Sequence, residues 1–147
     1  MTTEEPSTLA PPDPYAALEA IGIGALAERM GLEISEISAE RVVGSLPVEG
    51  NTQPYGLLHG GASLVLAETL GSFGSAVHAG PGRIAVGIEI NASHHRAATS
   101  GRVTGVARPV ALGRTLATWA VEVSDDEGRL VCTSRITCLL RDAVPGS

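Results

Sequence analysis

The sequence contains few cysteines and few aromatic residues. Cys132 and Cys138 are the only cysteines among 147 residues, and their spacing within one apolar segment fits neither a short metal-binding knuckle nor a disulfide framework. We therefore expect both to be buried as small hydrophobic residues. The net charge is −6, and one Trp, two Tyr and one Phe make up the aromatic residues, so nucleic-acid binding is not expected.

No segment has the properties of a targeting or membrane-spanning sequence. Residues 1–13 are acidic and rich in proline, without the positive and apolar regions of a signal peptide, so we expect a loose N-terminal tail and a cytoplasmic location. The longest weakly charged stretch, residues 60–77, carries Glu68 at its middle and several Gly and Ser residues. This pattern favours a helix covered by protein over a membrane span.

Charge is distributed unevenly along the chain. Residues 1–50 carry nine acidic residues against two arginines, whereas residues 83–114 have only Glu89 against five arginines and two histidines. The local excess of cations indicates a small anionic ligand, and the alternative is a solvated strand surface. The cations of this segment are Arg83, His94, His95, Arg96, Arg102, Arg108 and Arg114.

The hydrophobic pattern predicts an α+β fold with an antiparallel sheet. Helices are predicted over 15–30, ended by Gly31, and from Gly60 to the breaker Gly80-Pro81-Gly82. Strands are predicted over 32–38, 41–48, 83–93, 102–110, 115–124 and 129–140, with a loop at 52–56 and a hairpin turn at 126–128. No strand-helix-strand unit repeats, which disfavours a parallel sheet. We expect one domain over 14–141 and a C-terminal tail over 142–147.

Glu68 is the first candidate for chemistry. It is the only ionisable residue between His59 and His78. An unpaired carboxylate among apolar side chains costs free energy, so this position is a candidate functional site. Such a group can act as a base or a nucleophile, and the alternative is a structural carboxylate with a partner. Ser72 follows four residues later on the same helical face, where it can hold a water or simply be small for packing.

The start of the long helix offers a second chemical group. The first backbone N–H groups of a helix have no partner within it, and the glycine at position 60 leaves its N–H unshielded, so this amide can stabilise charge on a carbonyl oxygen. The alternative is a plain tight turn. Eight residues separate Gly60 from Glu68, about 12 Å along a helix. If both act on one thioester, Glu68 must come from a second subunit whose helix runs antiparallel, which agrees with self-association of so apolar a helix.

Further polar residues flank these two. His59 either bonds locally and orients the loop or donates a proton to a leaving group, and Gln53 can bond to substrate or remain solvated. The segment from Asn91 to Arg96, with residues 113–115 further on, supplies donors suited to phosphates. His94 and His95 are adjacent on a strand and point to opposite faces, which makes a poor metal pair. No G-x-S-x-G elbow, P-loop or dinucleotide-binding motif is present.

Several segments together carry a family resemblance. They are QPYGLLHGGASLVLAETLGS (53–72), VGIEINASH (86–94), GR (113–114) and EGRLVCTSR (127–135). Over residues 53–140 the chain resembles the hotdog-fold acyl-CoA thioesterases of the glutamate-type 4-hydroxybenzoyl-CoA thioesterase family, also called PaaI-like. The first segment is most similar to the 1,4-dihydroxy-2-naphthoyl-CoA hydrolases of menaquinone synthesis.

The resemblance implies a hotdog fold, in which an antiparallel sheet wraps a long central helix, and a tetramer built as a dimer of dimers with composite sites. It implies no metal and no cofactor, with acyl-CoA as the substrate. Glu68 is then the nucleophile or general base, the Gly60 amide polarises the carbonyl, and Gln53, His59 and Ser72 orient substrate and water. Substrate and coenzyme A contacts are implied for Gly87, His94, His95, Arg96, Ala97, Ala111, Leu112, Gly113, Arg114, Thr115 and Leu116.

Other functions remain open at this point. Within the same fold, the alternatives are a broader aryl- or medium-chain acyl-CoA thioesterase and an enzyme that clears mischarged acyl groups from a carrier protein. A hotdog protein that binds acyl-CoA without catalysis is disfavoured by the intact set of Gln53, Gly60 and Glu68. A hotdog dehydratase is disfavoured because the His-Gly-Gly entry, nine residues before Glu68, resembles the thioesterases. The acyl group itself cannot be read from the sequence.

Overall fold

The computed structural model describes residues 13, 16 and 20–146, and it shows a sheet with one long helix packed across it. Residues 1–12 of the predicted N-terminal tail lie outside the described residues. Between residues 22 and 146 the elements are α1 (Ala25–Met30), β1 (Glu33–Ile37), β2 (Val42–Pro47), α2 (Gly60–Ala79), β3 (Arg83–His94), β4 (Arg102–Leu112), β5 (Leu116–Asp125) and β6 (Leu130–Asp142).

The six strands form one antiparallel sheet in the order β1-β2-β4-β5-β6-β3. Helix α2 contacts all of them, so the predicted α+β class, with the sheet around a central helix, is confirmed. Among residues 20–146, strand β3 lies at an edge of the sheet and pairs only with β6. Within the described residues, no helix combines the length and hydropathy needed to cross a membrane.

The first helix differs from its prediction. Gly31 ends α1 as expected, with φ 72° and the backbone bonds of a left-handed cap. Continuity over 15–30 is wrong, because Gly22 and Gly24 adopt φ 70° and 89° and interrupt the helix between Ile21 and Ala25. The apolar spacing that predicted one helix continues across this break. Glycine adopts a positive φ at low cost in free energy, which allows the interruption. Residues 14–15 and 17–19 of that prediction lie outside the described residues.

The hairpin turn and the cysteines match the predictions. One Asp125 carboxylate oxygen accepts from the N–H groups of Glu127 and Arg129, closing the β5–β6 turn. The bond from the Arg129 N–H holds the pKa of the Asp125 carboxyl below its usual value. Cys132 and Cys138 are both buried and free, and burial raises the pKa of the Cys132 thiol.

Glycines bring α2 unusually close to the sheet. A methyl group added at Gly71 would lie 2.2 Å from Ile136 Cγ2, and one at Gly74 would lie 2.5 Å from Trp119 Cζ2. Both large side chains are fully buried. Gly71 and Gly74 are therefore required for the close packing of α2 on the sheet.

We expect Gly71→Ala to lower the thermal midpoint of unfolding. An approach of 2.2 Å to Ile136 is a severe overlap, so we place the clash at about 2–3 kcal/mol, in the upper part of the range for overpacking. This outweighs the gain of about 1 kcal/mol in helix propensity. Thermal unfolding at one protein concentration measures the effect. Adding Ile136→Ala should make the double variant less destabilised than the sum of the two single changes. A Gly71→Ala protein as stable as the wild type would contradict the packing argument.

Candidate active site

The loop before α2 is held by local hydrogen bonds. Gln53 N–H donates to Leu57 O at 2.8 Å, and the Gln53 carboxamide oxygen accepts from the Tyr55 N–H. Asn51 anchors the loop, because its side chain donates to Met30 O and Pro47 O at 2.8 Å each. The carboxamide NH₂ of Gln53 therefore has no partner from these loop bonds and remains available to a ligand.

His59 caps the N-terminus of α2. Its Nδ1 accepts from the Gly61 N–H at 2.8 Å, and its own N–H donates to Asn51 O at 2.8 Å. The acceptor role of Nδ1 places the proton of a neutral ring on Nε2. The sequence left two roles open for His59, local structure and proton donation to a leaving group. The contacts within the single chain support the local structural role.

The Gly60 backbone lies against the imidazole of His94. A methyl group added at Gly60 would lie 2.9 Å from His94 Nε2. Within the described residues, no acceptor is recorded for the Gly60 N–H, as expected for the first turn of a helix. Any side chain at position 60 would contact His94. Glycine therefore lets the His94 imidazole lie close to the backbone and leaves the Gly60 N–H unshielded.

A surface cavity of about 390 Å³ opens beside Gly60. It brings together two sequence segments that are far apart, the loop before α2 and the end of β3. Six of its lining residues were predicted as site residues: Gln53, Gly60, His94, His95, Arg96 and Ala97. His95 bonds to Thr133 Oγ1 at 2.8 Å through Nε2, whereas His94 faces Gly60, so the two histidines do diverge.

Glu68 lies apart from this cavity. In the single chain Glu68 is exposed. The sequence predicted that one chain covers the helix only in part and that self-association covers the rest. The sheet covers only the face of α2 that carries Leu66 and Leu70. The Glu68 carboxylate lies over Gly87 of the edge strand β3, where an added methyl group would be 2.8 Å from Oε1. Glu68 therefore stands at the uncovered edge of the sheet.

Ser72 and Gly87 lie close to Glu68, as their predicted roles require. Ser72 Oγ is 4.0 Å from Cys138 Sγ, and Cys138 is the registered partner of Gly87 on the adjacent strand. The structure thus gathers Glu68, Ser72 and Gly87 at the middle of α2. About 12 Å of helix separates this group from Gly60.

The predicted segment Ala111 to Leu116 lies at the opposite end of α2. His78 Nε2 is 2.7 Å from Gly113 O, which fixes this segment beside the last turn of the helix. A second cavity, of about 590 Å³, is lined there by Arg83, Arg114, Thr115, Leu140, Arg141 and Asp142. The two predicted substrate-binding segments therefore do not meet within one chain.

The structure also divides the cation-rich segment. Arg102 is structural, since its guanidinium donates to Ser45 and Gly31 O and lies 3.6 Å from a Glu33 carboxylate oxygen. Arg96 lines the cavity beside Gly60, and Arg114 lines the cavity at the other end of α2. The cavity lined by Arg96 and the cavity lined by Arg114 are therefore the two candidate sites for an anionic ligand.

Sequence reasoning missed some cavity residues. Ser63 lines the cavity beside Gly60 and is 1% exposed. Its position one turn after Gly60 was the available indication, because residues three apart share a helical face. Arg141 was missed because only the pairing of β6 with β5 brings it beside Arg114. In the part of the chain that the structure describes, no three His, Cys, Asp or Glu side chains are grouped to hold a metal ion.

A long helix embraced by a six-stranded antiparallel sheet defines the hotdog fold. The chain shares this fold with a solved thioesterase from Haemophilus influenzae, with TM-score 0.83 and 32% identity over 91% of this chain and 94% of that one. A solved mutant thioesterase from Pseudomonas aeruginosa gives TM-score 0.82 and 39% identity over 90% and 96%.

Sequence comparison identifies the family. The family model described as the thioesterase superfamily matches residues 55–132. The proofreading thioesterase EntH of Cronobacter turicensis is 45% identical over 82% of this chain and 89% of its own length. The 1,4-dihydroxy-2-naphthoyl-CoA hydrolase of Escherichia coli K12 is 43% identical over 82% and 90%. The chain belongs to the thioesterase superfamily and is an enzyme that hydrolyses thioesters.

Proposed function

We propose that this enzyme hydrolyses acyl-CoA thioesters in a site shared by two chains, with Glu68 from one chain and the Gly60 N–H from the other. The observation that carries the proposal is the separation of the two groups. Gly60 lies at one cavity, whereas Glu68 stands about 12 Å further along α2, exposed at the edge strand β3. One chain cannot place both at one carbonyl, but two antiparallel chains can.

The free edge of β3 supports this pairing. Strand β3 is twelve residues long, and β6 is its one partner in the part of the chain that the structure describes. Its other edge presents unpaired backbone N–H and C=O groups there. Val86 and Ile88 of this strand are 42% and 56% exposed. Joining two β3 edges about a two-fold axis makes the strands and the adjacent α2 helices antiparallel. Glu68, beside Gly87 on that edge, then faces the partner chain.

The chemistry follows from the two groups. The Gly60 N–H bonds to the thioester oxygen and stabilises the negative charge that develops there, aided by the positive end of the α2 dipole. The Glu68 carboxylate then acts in one of two ways. It attacks the thioester carbon and expels the thiolate, leaving a mixed anhydride that water hydrolyses, or it takes a proton from a water that attacks directly. Neither route uses a metal or a cofactor.

The remaining residues have supporting roles in this proposal. The free carboxamide NH₂ of Gln53 and the residues from His94 to Ala97 contact the substrate in the cavity beside Gly60. His59 holds the first turn of α2 in place through its bond to Gly61. Ser72, half-buried next to Glu68, orients the carboxylate or its water.

We further propose an aromatic acyl group, such as 1,4-dihydroxy-2-naphthoyl, as the substrate. The name of the E. coli relative supports this choice. The second candidate is proofreading of mischarged acyl groups, including those on a carrier protein, which the name of the Cronobacter relative supports. We propose the cytoplasm as the location of the enzyme.

Thiol release from a panel of thioesters tests the function. The panel contains 1,4-dihydroxy-2-naphthoyl-, 4-hydroxybenzoyl-, phenylacetyl- and medium-chain acyl-CoA, with the same acyl groups on a carrier protein. A kcat/KM that is highest for aromatic acyl-CoA supports the first candidate. Preference for the carrier-bound substrates supports the second, and failure to hydrolyse any CoA thioester contradicts the proposed acyl-CoA activity.

Mixing two inactive variants should restore activity. Glu68→Gln chains keep Gly60, and Gly60→Pro chains keep Glu68, so one of the two sites in a mixed dimer contains both native groups. After dissociation and reassociation at equal amounts, half of the dimers are mixed and have one intact site each. We therefore expect about a quarter of the wild-type kcat by this counting of symmetric sites.

The matched control mixes Glu68→Gln chains with a Glu68→Gln/Gly60→Pro double variant, which cannot form an intact site. Activity no higher than this control, with mixed dimers verified by native mass spectrometry, would refute the shared site. The same spectra report the oligomeric state, for which we propose a dimer of dimers. An exposed apolar row on the sheet face opposite α2 supports this. It consists of Val86 on β3, Leu139 on β6 and Leu116 on β5.

A further inference from the structure

Asn51 connects three parts of the chain at the entry to α2. Its side-chain NH₂ donates to Met30 O and to Pro47 O, at 2.8 Å each. Met30 is the last residue of α1 and Pro47 is the last residue of β2. A carboxamide NH₂ has two hydrogens to donate, and here each is bonded to the end of a different element. The side chain of Asn51 is therefore fixed in place by α1 and β2.

The backbone of Asn51 extends this anchoring to the start of α2. Its C=O accepts from the His59 N–H at 2.8 Å, and its N–H donates to Val48 O at 3.0 Å. The C=O of His59 in turn accepts from the Ala62 N–H at 2.9 Å. His59, the residue before the helix, is thus held at both its N–H and its C=O.

The peptide unit that follows carries the donor used in the proposed reaction. The His59 C=O and the Gly60 N–H belong to one planar trans peptide unit and point in opposite directions. Because this C=O is bonded to Ala62 inside the first turn, the N–H points away from the helix. The ends of helices fray unless they are held, and an oxyanion donor is most effective when its direction is fixed before charge develops. The bond from His59 to Asn51 O therefore helps to set the direction of the Gly60 N–H.

Gln53, another polar group that the reaction uses before α2, has separate support. Its N–H donates to Leu57 O at 2.8 Å. The residue after Leu57, Leu58, donates its N–H to Ala98 O at 2.8 Å. Neither bond involves Asn51, so removing the Asn51 side chain should loosen the start of α2 more than the Gln53 carboxamide.

We propose that Asn51 is a positioning residue for the reaction, and that its side chain sets the direction of the Gly60 N–H through the backbone of His59. In the part of the chain that the structure describes, Asn51 lines neither of the two cavities, so it acts without touching the substrate. The proposal rests on the Gly60 donor of the proposed function and adds one residue to it. Through Asn51, the ends of α1 and β2 become part of the support of the active site.

Kinetics of Asn51→Ala test the proposal first. The variant keeps the Gly60 N–H but loses the anchor that directs it, so we expect kcat to fall about ten- to hundredfold, up to the cost of a misplacement of about 1 Å. The donor acts on charge that develops in the transition state. Therefore kcat and kcat/KM should fall by the same factor, and KM should stay near the wild-type value. Thiol release across a range of acyl-CoA concentrations measures all three. Wild-type kcat in a folded variant overturns the proposal.

Arg102→Gln is the matched control for general loosening. The Arg102 guanidinium also holds the end of α1, through Gly31 O, and it holds β2 through Ser45. Among the described residues, no bond is recorded from its side chain to residues 48–59. Arg102→Gln should therefore lower the thermal midpoint of unfolding and keep wild-type kcat. An equal loss of kcat in Arg102→Gln and Asn51→Ala would mean general loosening, which contradicts the positioning role.

A double-mutant cycle distinguishes the direction of the donor from stability of the fold. Gly60→Pro has no N–H to direct, so adding Asn51→Ala to it should not lower kcat further. A residue that only stabilises the fold would lower kcat by the same factor in both backgrounds, and that result would refute the proposal. If Asn51→Ala does not fold, Asn51→Ser, which keeps a single hydroxyl donor, takes its place in both comparisons.

Hydrogen exchange separates this proposal from the proposed reaction, because it needs no turnover. In Asn51→Ala, exchange of the His59 amide followed by NMR should be about tenfold faster, as for one lost hydrogen bond, and in Arg102→Gln it should match the wild type. Unchanged exchange at His59 in Asn51→Ala overturns the positioning role whatever the activity. Full activity of Gly60→Pro contradicts the oxyanion donor of the proposed function, and faster exchange at His59 would then still show that Asn51 holds this peptide unit.

Discussion

Glu68→Gln should lower kcat by about 10³-fold, within the range for loss of a positioned base. The amide has nearly the shape of the carboxylate, but it can neither accept a proton from water nor attack the thioester carbon. Glu68 is exposed in the single chain and makes no recorded ion pair with a described residue, so the fold should tolerate the change. Thiol release under saturating acyl-CoA measures kcat.

Two measurements control for indirect effects. The coenzyme A affinity and the oligomeric state of Glu68→Gln should match the wild type, because the substitution leaves both cavities and the β3 edge unchanged. Glu89 is a second exposed carboxylate and lies on β3, so Glu89→Gln is a matched control that should retain wild-type kcat. A folded Glu68→Gln enzyme with full activity would rule out both routes proposed for the carboxylate.

Gly60→Pro should lower kcat by about 10²- to 10³-fold, the usual effect of removing one oxyanion donor. Proline suits the first position of a helix, since its missing N–H has no partner there. The residue before it must be extended, and His59 already is, with φ −64° and ψ 130°. The substitution therefore removes the donor that the mechanism uses while the helix start is preserved. Thiol release with circular dichroism as a folding check measures this.

Gly60→Ala distinguishes loss of the N–H donor from the steric effect of an added side chain. Both substitutions add a Cβ atom that meets His94, 2.9 Å from its Nε2, but alanine keeps the N–H. We expect Gly60→Ala to retain clearly more activity than Gly60→Pro. Equal losses in the two variants would mean that the position of His94, and not the Gly60 amide, accounts for the effect.

Much of the fold was predictable because its determinants are local. Gly80-Pro81-Gly82 ends α2 where expected, and the side chain of Asp125 closes the hairpin before Leu130. The helix break between Ile21 and Ala25 was missed, since apolar spacing continues across Gly22 and Gly24. Glycine permits a positive φ without requiring it, so a local pattern does not show whether the chain turns there.

The candidate site was predictable as segments and not as an arrangement. The motif around Gly60 and Glu68 was found from its residue types and spacing. The donors from Asn91 to Arg96 were found from their charge, and Ala97 only through the family resemblance. The place of the carboxylate was not, because the face of α2 that the sheet leaves uncovered depends on strand order. Arg141 was missed for the same reason, because the pairing of β6 with β5 brings it beside Arg114.

The sequence by itself determined the elements, the chemical groups and the 12 Å that α-helix geometry sets between Gly60 and Glu68. Each of these depends on residues close together in the chain. Only the tertiary structure placed Glu68 at a free sheet edge and put the cavities of His94 and Arg114 at opposite ends of α2. Those positions arise from contacts between residues that are distant in sequence, which residue patterns do not encode directly.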